Sequence, residues 1–190
     1  YQGFFKTPEG YDPAEQRLYF PKLQSLGASA RASALGGITN IEFAHWVSKE
    51  SDQGTNPYVP NNQTRFLIGY ESEIVRNLTA NFQIYSEYTH HYSKLKEKIP
   101  SPDDRPRKAR QVITTRWTLN TQQSNIVYSA FLFYSPSDDD YYLIPNIMVR
   151  IGDSWQINGG ANVLGGSKEH TLFGQMEQNS NIYARAKFIF

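Results

Sequence analysis

The 190-residue chain has no cysteine. That single absence removes a disulfide framework, a thiolate metal site and a cysteine nucleophile. It has no excess of one charge either: 19 Lys+Arg face 18 Asp+Glu, for a formal net charge of +1. Nucleic-acid binding leaves a basic footprint, so the balance argues against a nucleic-acid partner. No apolar run approaches the roughly 20 residues of a spanning helix; the longest lies around Ala130-Phe131-Leu132-Phe133-Tyr134. Mean hydropathy is −0.58. The start, Tyr1-Gln2-Gly3-Phe4-Phe5, has no initiator Met and none of the regions of a signal peptide, which reads as a piece of a longer precursor. What the chain does have is aromatic side chains: 13 Tyr, 11 Phe and 3 Trp, 14% of a polar sequence.

The dominant pattern is alternation with period two, the mark of strands with two unlike faces. Ile182, Ala184, Ala186, Phe188 and Phe190 alternate with Tyr183, Arg185, Lys187 and Ile189. Trp155, Ile157, Gly159, Ala161 and Val163 oppose Gln156, Asn158, Gly160 and Asn162, and Ile113, Thr115, Trp117 and Leu119 oppose Thr114, Arg116, Thr118 and Asn120. The same rule holds across 65–74, 78–89 and 144–151. It predicts about ten strands of about ten residues each, at 1–6, 19–35, 39–50, 64–76, 78–91, 108–121, 124–135, 141–152, 154–166 and 181–190. Gly36-Gly37-Ile38-Thr39, Val75-Arg76-Asn77, 121–125 and Gly152-Asp153-Ser154 read as short turns. Longer polar loops fall at 7–18, 51–63, 91–107 and 167–180, with Pro136-Ser137-Asp138-Asp139-Asp140 a short exception. The only helix candidate is 93–99.

An antiparallel meander with short turns on one side and long loops on the other is the layout of a transmembrane β-barrel. A soluble β-sandwich or lipocalin-like barrel also alternates. Three features favour the membrane: an alternating C-terminal strand that ends in Phe190; aromatics near strand ends (Tyr19, Phe20, Trp46, Tyr88, Tyr92, Tyr134, Tyr141, Tyr142, Trp155); and small residues such as Ala28, Ala30, Ala32, Ala34 and Ala161 on the apolar face. The expectation is an all-β, antiparallel up-and-down transmembrane barrel. It forms a single domain over 1–190 and is part of a larger barrel, although closure of ten strands alone is allowed.

The terminal strand Asn181-Ile182-Tyr183-Ala184-Arg185-Ala186-Lys187-Phe188-Ile189-Phe190 resembles the terminal signature of Gram-negative outer-membrane barrels. Phe4-Phe5-Lys6-Thr7-Pro8, Tyr19-Phe20-Pro21-Lys22-Leu23, Arg65-Phe66-Leu67-Ile68-Gly69-Tyr70-Glu71, Phe133-Tyr134-Ser135-Pro136-Ser137-Asp138 and Leu172-Phe173-Gly174-Gln175 resemble a poorly characterised porin-like family of such proteins, in its C-terminal part. The resemblance implies a Gram-negative outer-membrane location. It also implies that the barrel assembly machinery reads Ile182, Ala184, Ala186, Phe188 and Phe190.

The polar face carries the functional argument. Arg65, Glu71, Glu73, Glu87, Arg116, Arg150, Arg185 and Lys187 fall on it among Asn, Gln, Thr and Ser. Burying so many ions dry costs several kcal/mol each, whereas a hydrated lumen removes the cost. Near-balanced signs predict weak charge selectivity. The leading expectation is a porin-like channel for passive diffusion of small hydrophilic solutes. A scaffold barrel around a plug, lipoprotein or cytochrome is the alternative, and any haem would belong to that partner because no Cys-x-x-Cys-His exists here.

An outer-membrane hydrolase is a third reading and would rest on His90, His91 or His170, but no Gly-x-Ser-x-Gly accompanies them, so no catalytic residue is assigned and His90 and His91 read as loop histidines. No cofactor is expected. Asp138, Asp139 and Asp140 are weak cation candidates, as are Glu50, Asp52 and Asn56, since neither group has EF-hand spacing. Lys94, Lys96, Lys98, Arg105, Arg107, Lys108 and Arg110 make a basic loop suited to lipopolysaccharide phosphates, interrupted by Asp103 and Asp104. Gly165-Gly166-Ser167-Lys168 reads as a turn. Membrane lipids, a second copy or a partner protein in the barrel complete the expected contacts.

Overall fold

A computed structural model describes residues 1–101, 105–167 and 171–190. His170, Lys168, Asp103 and Asp104, which the sequence singles out, lie outside the described residues. The chain is mostly antiparallel sheet, with 62% of residues in strands. In chain order the strands are β1 (Gln2–Phe4), β2 (Gly10–Asp12), β3 (Arg17–Tyr19), β4 (Lys22–Ala34), β5 (Gly37–Ser48), β6 (Gln63–Val75), β7 (Leu78–Thr89), β8 (Ala109–Thr121), β9 (Ile126–Ser135), β10 (Asp140–Ile151), β11 (Trp155–Gly166) and β12 (Asn181–Phe188). One helix, α1 (Tyr92–Lys98), falls where the sequence allowed one.

Ten strands make one sheet in the order β1-β4-β5-β6-β7-β8-β9-β10-β11-β12, while β2 and β3 pair as a separate hairpin. The order is the chain order, as a meander requires. The sheet is open: β1 and β12 end the order, and no pairing joins them among the described residues. Closure of this chain's ten strands into a barrel, which the sequence allowed, is therefore not observed.

Several local expectations shift. The turn placed at 36–39 lies one step earlier: Leu35 (φ 55°) and Gly36 (φ 77°) are its centre, both left-handed, and Gly37 already belongs to β5. A two-residue hairpin needs positive φ at both central positions to match the twist of its strands. Gly165 and Gly166 are strand residues at the end of β11, not a turn. The loop at 7–18 contains the β2–β3 hairpin, tied down by Tyr19, whose hydroxyl donates to Glu50 Oε2 at 2.6 Å. That bond to a carboxylate, above all, raises the Tyr19 phenol to about 12.

Packing divides the chain into two compact units, Tyr1–Ala30 with Ile41–Leu67 and Tyr85–Arg110, and Arg31–Asn40 with Ile68–Ile84 and Gln111–Phe190. In the second unit the register of β8 to β12 is continuous enough to assign faces. Leu119 faces Tyr128, Tyr128 faces Ile147, Ile147 faces Gly159 and Gly159 faces Ala184. Two residues along on each strand, Trp117 faces Ala130, and Ala130 faces Pro145. Because successive strand residues point to opposite faces, these rows assemble one apolar face. The β10–β11 ladder breaks between Leu143 and Asn146, around Pro145, whose nitrogen has no hydrogen to give.

This apolar face is not a core. Buried hydrophobic side chains among the described residues are few: Phe5, Leu23, Val59, Ala80, Leu95 and Val112. Trp117, Tyr128, Ile147, Ile157, Ile182 and Phe188 are all exposed, Ile182 to 89%. A soluble sandwich packs its apolar faces together; among the described residues this face stays exposed.

Candidate functional site

In the first unit, β5, β6 and β7 are neighbours in the sheet, and adjacent residues on them separate into two clusters. On one side the Arg65 guanidinium lies 3.6 Å above the Trp46 ring. Arg65 Nε meets Glu87 Oε2 at 3.1 Å, and its Nη2 donates to Gln63 Oε1 at 2.6 Å. The Tyr85 hydroxyl donates to the same Glu87 oxygen at 2.7 Å. Glu42, Trp46, Arg65 and Tyr85 line a hollow of about 390 Å³. Arg65 and Glu87 were both expected on the polar face, and the structure brings them into one ion pair.

On the other side, residues one position away meet one another. The Thr64 hydroxyl lies 2.9 Å from His45 Nδ1 and 2.7 Å from His90 Nε2. The two imidazoles stand edge to face at 5.5 Å, with Tyr88 at 5.2 Å from His90. His90, just beyond β7, is thus no free loop histidine as the sequence suggested. Burial first, then the nearby His45 and His91, lowers its pKa below the ordinary imidazole value. No spacing along the chain hints at the link, because its members come from β5, from β6 and from the residue just after β7. His91 does stand apart, capping α1 in the left-handed region (φ 52°).

In the second unit the polar face holds the remaining cations. Arg116 faces Phe131, Arg150 faces Gln156, Gln156 faces Lys187, and Arg185 faces Asn158. Amides and hydroxyls link this face: Tyr142 donates to Asn162 (2.6 Å), Asn162 to Asn181 (3.0 Å), and Asn146 to the Tyr183 hydroxyl (3.2 Å). Arg116, Arg150, Arg185 and Lys187 are exposed and have no carboxylate partner among the described residues. The acids are placed differently. Glu73 accepts the Asn77 N–H at 2.6 Å and closes the β6–β7 turn, and Glu71 accepts from Asn81 at 3.4 Å.

No protein-family model, curated protein or solved structure matches this chain.

The cation candidates are not gathered. Asp138 Oδ2 accepts from Ser135, Asp139 adopts φ 54°, and Asp140 is fully buried with Oδ2 accepting the Phe173 N–H at 2.9 Å. Glu50 is held by Tyr19 and by the Lys22 N–H, while Asn56 is engaged with Ser51. Among the described residues no three His, Cys, Asp or Glu side chains come together as a metal would require. The aromatics also divide. Tyr134 pairs with Tyr141 on the apolar face at one end of the strands, and Trp155 pairs with Phe188 at the other. Trp46 and Tyr142, grouped with them from sequence, belong instead to the polar side, beneath Arg65 and beside Phe133. Ile182, Ala184, Ala186 and Phe188 share the apolar face of β12, while Phe190 lies beyond the strand and is fully exposed.

Proposed function

We propose that this chain forms the wall of a porin-like channel in a Gram-negative outer membrane, passing small hydrophilic solutes down their gradients. The observation that carries this reading is the pairing of two unlike faces across β8 to β12. One is an exposed apolar face with aromatics at both ends, and the other is a face of amides, hydroxyls and cations. The stretch from Tyr141 to Ile151 is about 33 Å long at the rise of an extended strand. At a tilt of about 40° it covers about 25 Å, the height of the apolar band of outer-membrane barrels. Large exposed apolar patches mark a lipid or partner surface. Lipid fits here because the band is bounded by Tyr134 and Tyr141 at one end and Trp155 and Phe188 at the other.

The polar face then lines the aqueous path. In the second unit Arg116, Arg150, Arg185 and Lys187 have no carboxylate partner among the described residues, while Glu71 and Glu73 accept from neutral amides and keep their charge, so cations are in modest excess. Water and solute counter-ions satisfy them at low cost, and the resulting field favours anions. Among the described residues no strand pairs with the outer edge of β12, and an edge of that kind offers backbone groups as a handle for the assembly machinery.

Single-channel recording in a planar bilayer tests the reading. The expected result is discrete open steps with a reversal potential favouring anions, shifting toward cations when Arg116 and Arg150 are both replaced by Glu. A silent bilayer despite verified insertion overturns the channel and leaves a scaffold barrel around a partner. Open steps whose reversal potential ignores the double replacement remove Arg116 and Arg150 from the path.

A further inference from the structure

The 171–180 segment, between β11 and β12, does not stand away from the sheet. Phe173 packs against Phe133 (5.9 Å between ring centroids) and Tyr142 (5.7 Å), and those two rings stack at 6.1 Å with their planes 10° apart. Phe133 and Tyr142 are register partners; Phe133 shares its side of β9 with Phe131, the partner of Arg116. Tyr142 shares its side of β10 with Arg150, so Phe173 sits on the polar face.

A second attachment lies beside the first. The Phe173 N–H donates to Asp140 Oδ2 at 2.9 Å, and Asp140 is wholly buried. Its other oxygen, Oδ1, is also buried and has no hydrogen-bond partner among the described residues. Farther along, the Ser180 hydroxyl accepts the Leu164 N–H at 3.0 Å. At Gly166 a side-chain carbon would meet the Gly174 backbone at 3.2 Å, so two glycines allow the close approach.

We infer that the 171–180 segment is a constriction at one end of the path, and that Phe173 is the residue that sets the size limit for solutes. The inference rests on the channel reading. At its Phe173 end the segment is held inward by one ring and one N–H, with Ser180 a separate anchor farther along. A carboxylate with one dry, unpartnered oxygen is costly to bury. Lifting Phe173 admits water to Asp140 and repays part of the lost contact. The seat is therefore firm enough to narrow the path and weak enough to yield to one substitution.

The test uses Phe173→Ala, with Phe173→Tyr as the conservative control and heat-modifiable gel mobility to verify folding. Two readouts run in parallel: planar-bilayer conductance, and deuterium labelling of the residue-173 N–H, which is bonded to the buried Asp140 carboxylate while the segment is seated. The expected result is labelling at least about tenfold faster, with conductance at least doubled, in Phe173→Ala only. Open wild-type channels with neither readout changed by Phe173→Ala overturn the constriction and leave the channel reading intact. Faster labelling with no conductance in either protein overturns the channel reading and, with it, any constriction of a path. If Phe173→Ala fails the mobility check, Phe173→Leu takes its place under the same criteria.

Discussion

Replacing Arg65 by Met perturbs the ion pair at the centre of the cluster on β5, β6 and β7. Arg65 and Glu87 are 3.1 Å apart with side chains 24% and 16% exposed, so neither the surface nor the fully buried case applies. Exposed pairs contribute about 0–1 kcal/mol, and breaking a fully buried one costs about 3–5 kcal/mol. At this exposure the coupling should lie between them, about 2 kcal/mol. The stacking of the guanidinium on Trp46 at 3.6 Å adds about 1 kcal/mol. Arg65→Met is then expected to cost about 3 kcal/mol, with Arg65→Lys losing mainly the planar stack. Glu87→Gln keeps an acceptor for Tyr85 and loses chiefly the pair. Urea titration in lipid vesicles, followed by Trp fluorescence, measures the two single variants and the double variant. A coupling near 2 kcal/mol is the expected result; one below about 0.3 kcal/mol, within ordinary additivity, would refute the view that this pair is desolvated.

Leu35, 92% exposed and in the left-handed region, packs against little, so Leu35→Asn should stabilise the β4–β5 hairpin by about 1 kcal/mol in the same titration, with a loss counting against the turn geometry. At Gly160 an added carbon meets the Pro145 carbonyl at 2.7 Å, but at Gly159 its nearest neighbour is Ile147 at 3.8 Å. Gly160→Ala should therefore cost about 1–3 kcal/mol and Gly159→Ala little; equal effects would deny that the two glycines face opposite sides. His90 titrates low because burial and His45 oppose its protonation. A depressed imidazole contributes fully above its unfolded value, about 6.5, and the contribution is lost as pH falls below that. NMR should place the His90 midpoint under 6.5, with local hydrogen exchange around Thr64 rising on acidification; a midpoint at or above 6.5 contradicts the cluster.

The strands were legible because one signal, alternation, repeats from element to element. The spans at 64–76, 78–91 and 154–166 differ from β6, β7 and β11 by no more than two residues at either end. Alternation also placed Arg116, Arg150, Arg185 and Lys187 on one face, as the register has them. What it could not give was anything depending on which residues lie opposite. The His45–Thr64–His90 link joins β5, β6 and the residue after β7, and no spacing along one strand encodes it. The same holds for Asp140: three consecutive aspartates look like a solvated tip, and only the fold brings Phe173 over the last of them. Trp46 was misgrouped because position near a strand end was weighed above parity; its even number, shared with Glu42 in β5, already set it apart from His45. Closure was beyond the pattern altogether, since alternation is identical in an open sheet and a closed one.

The central claim is that neighbouring residues on one strand meet different solvents. Single cysteines at Asn146 and Ile147, each carrying the same fluorophore in reconstituted vesicles, test it directly. The account predicts that aqueous iodide quenches the label at Asn146 and brominated lipid quenches the label at Ile147. Iodide quenching of both, with no effect of brominated lipid on either, would contradict it.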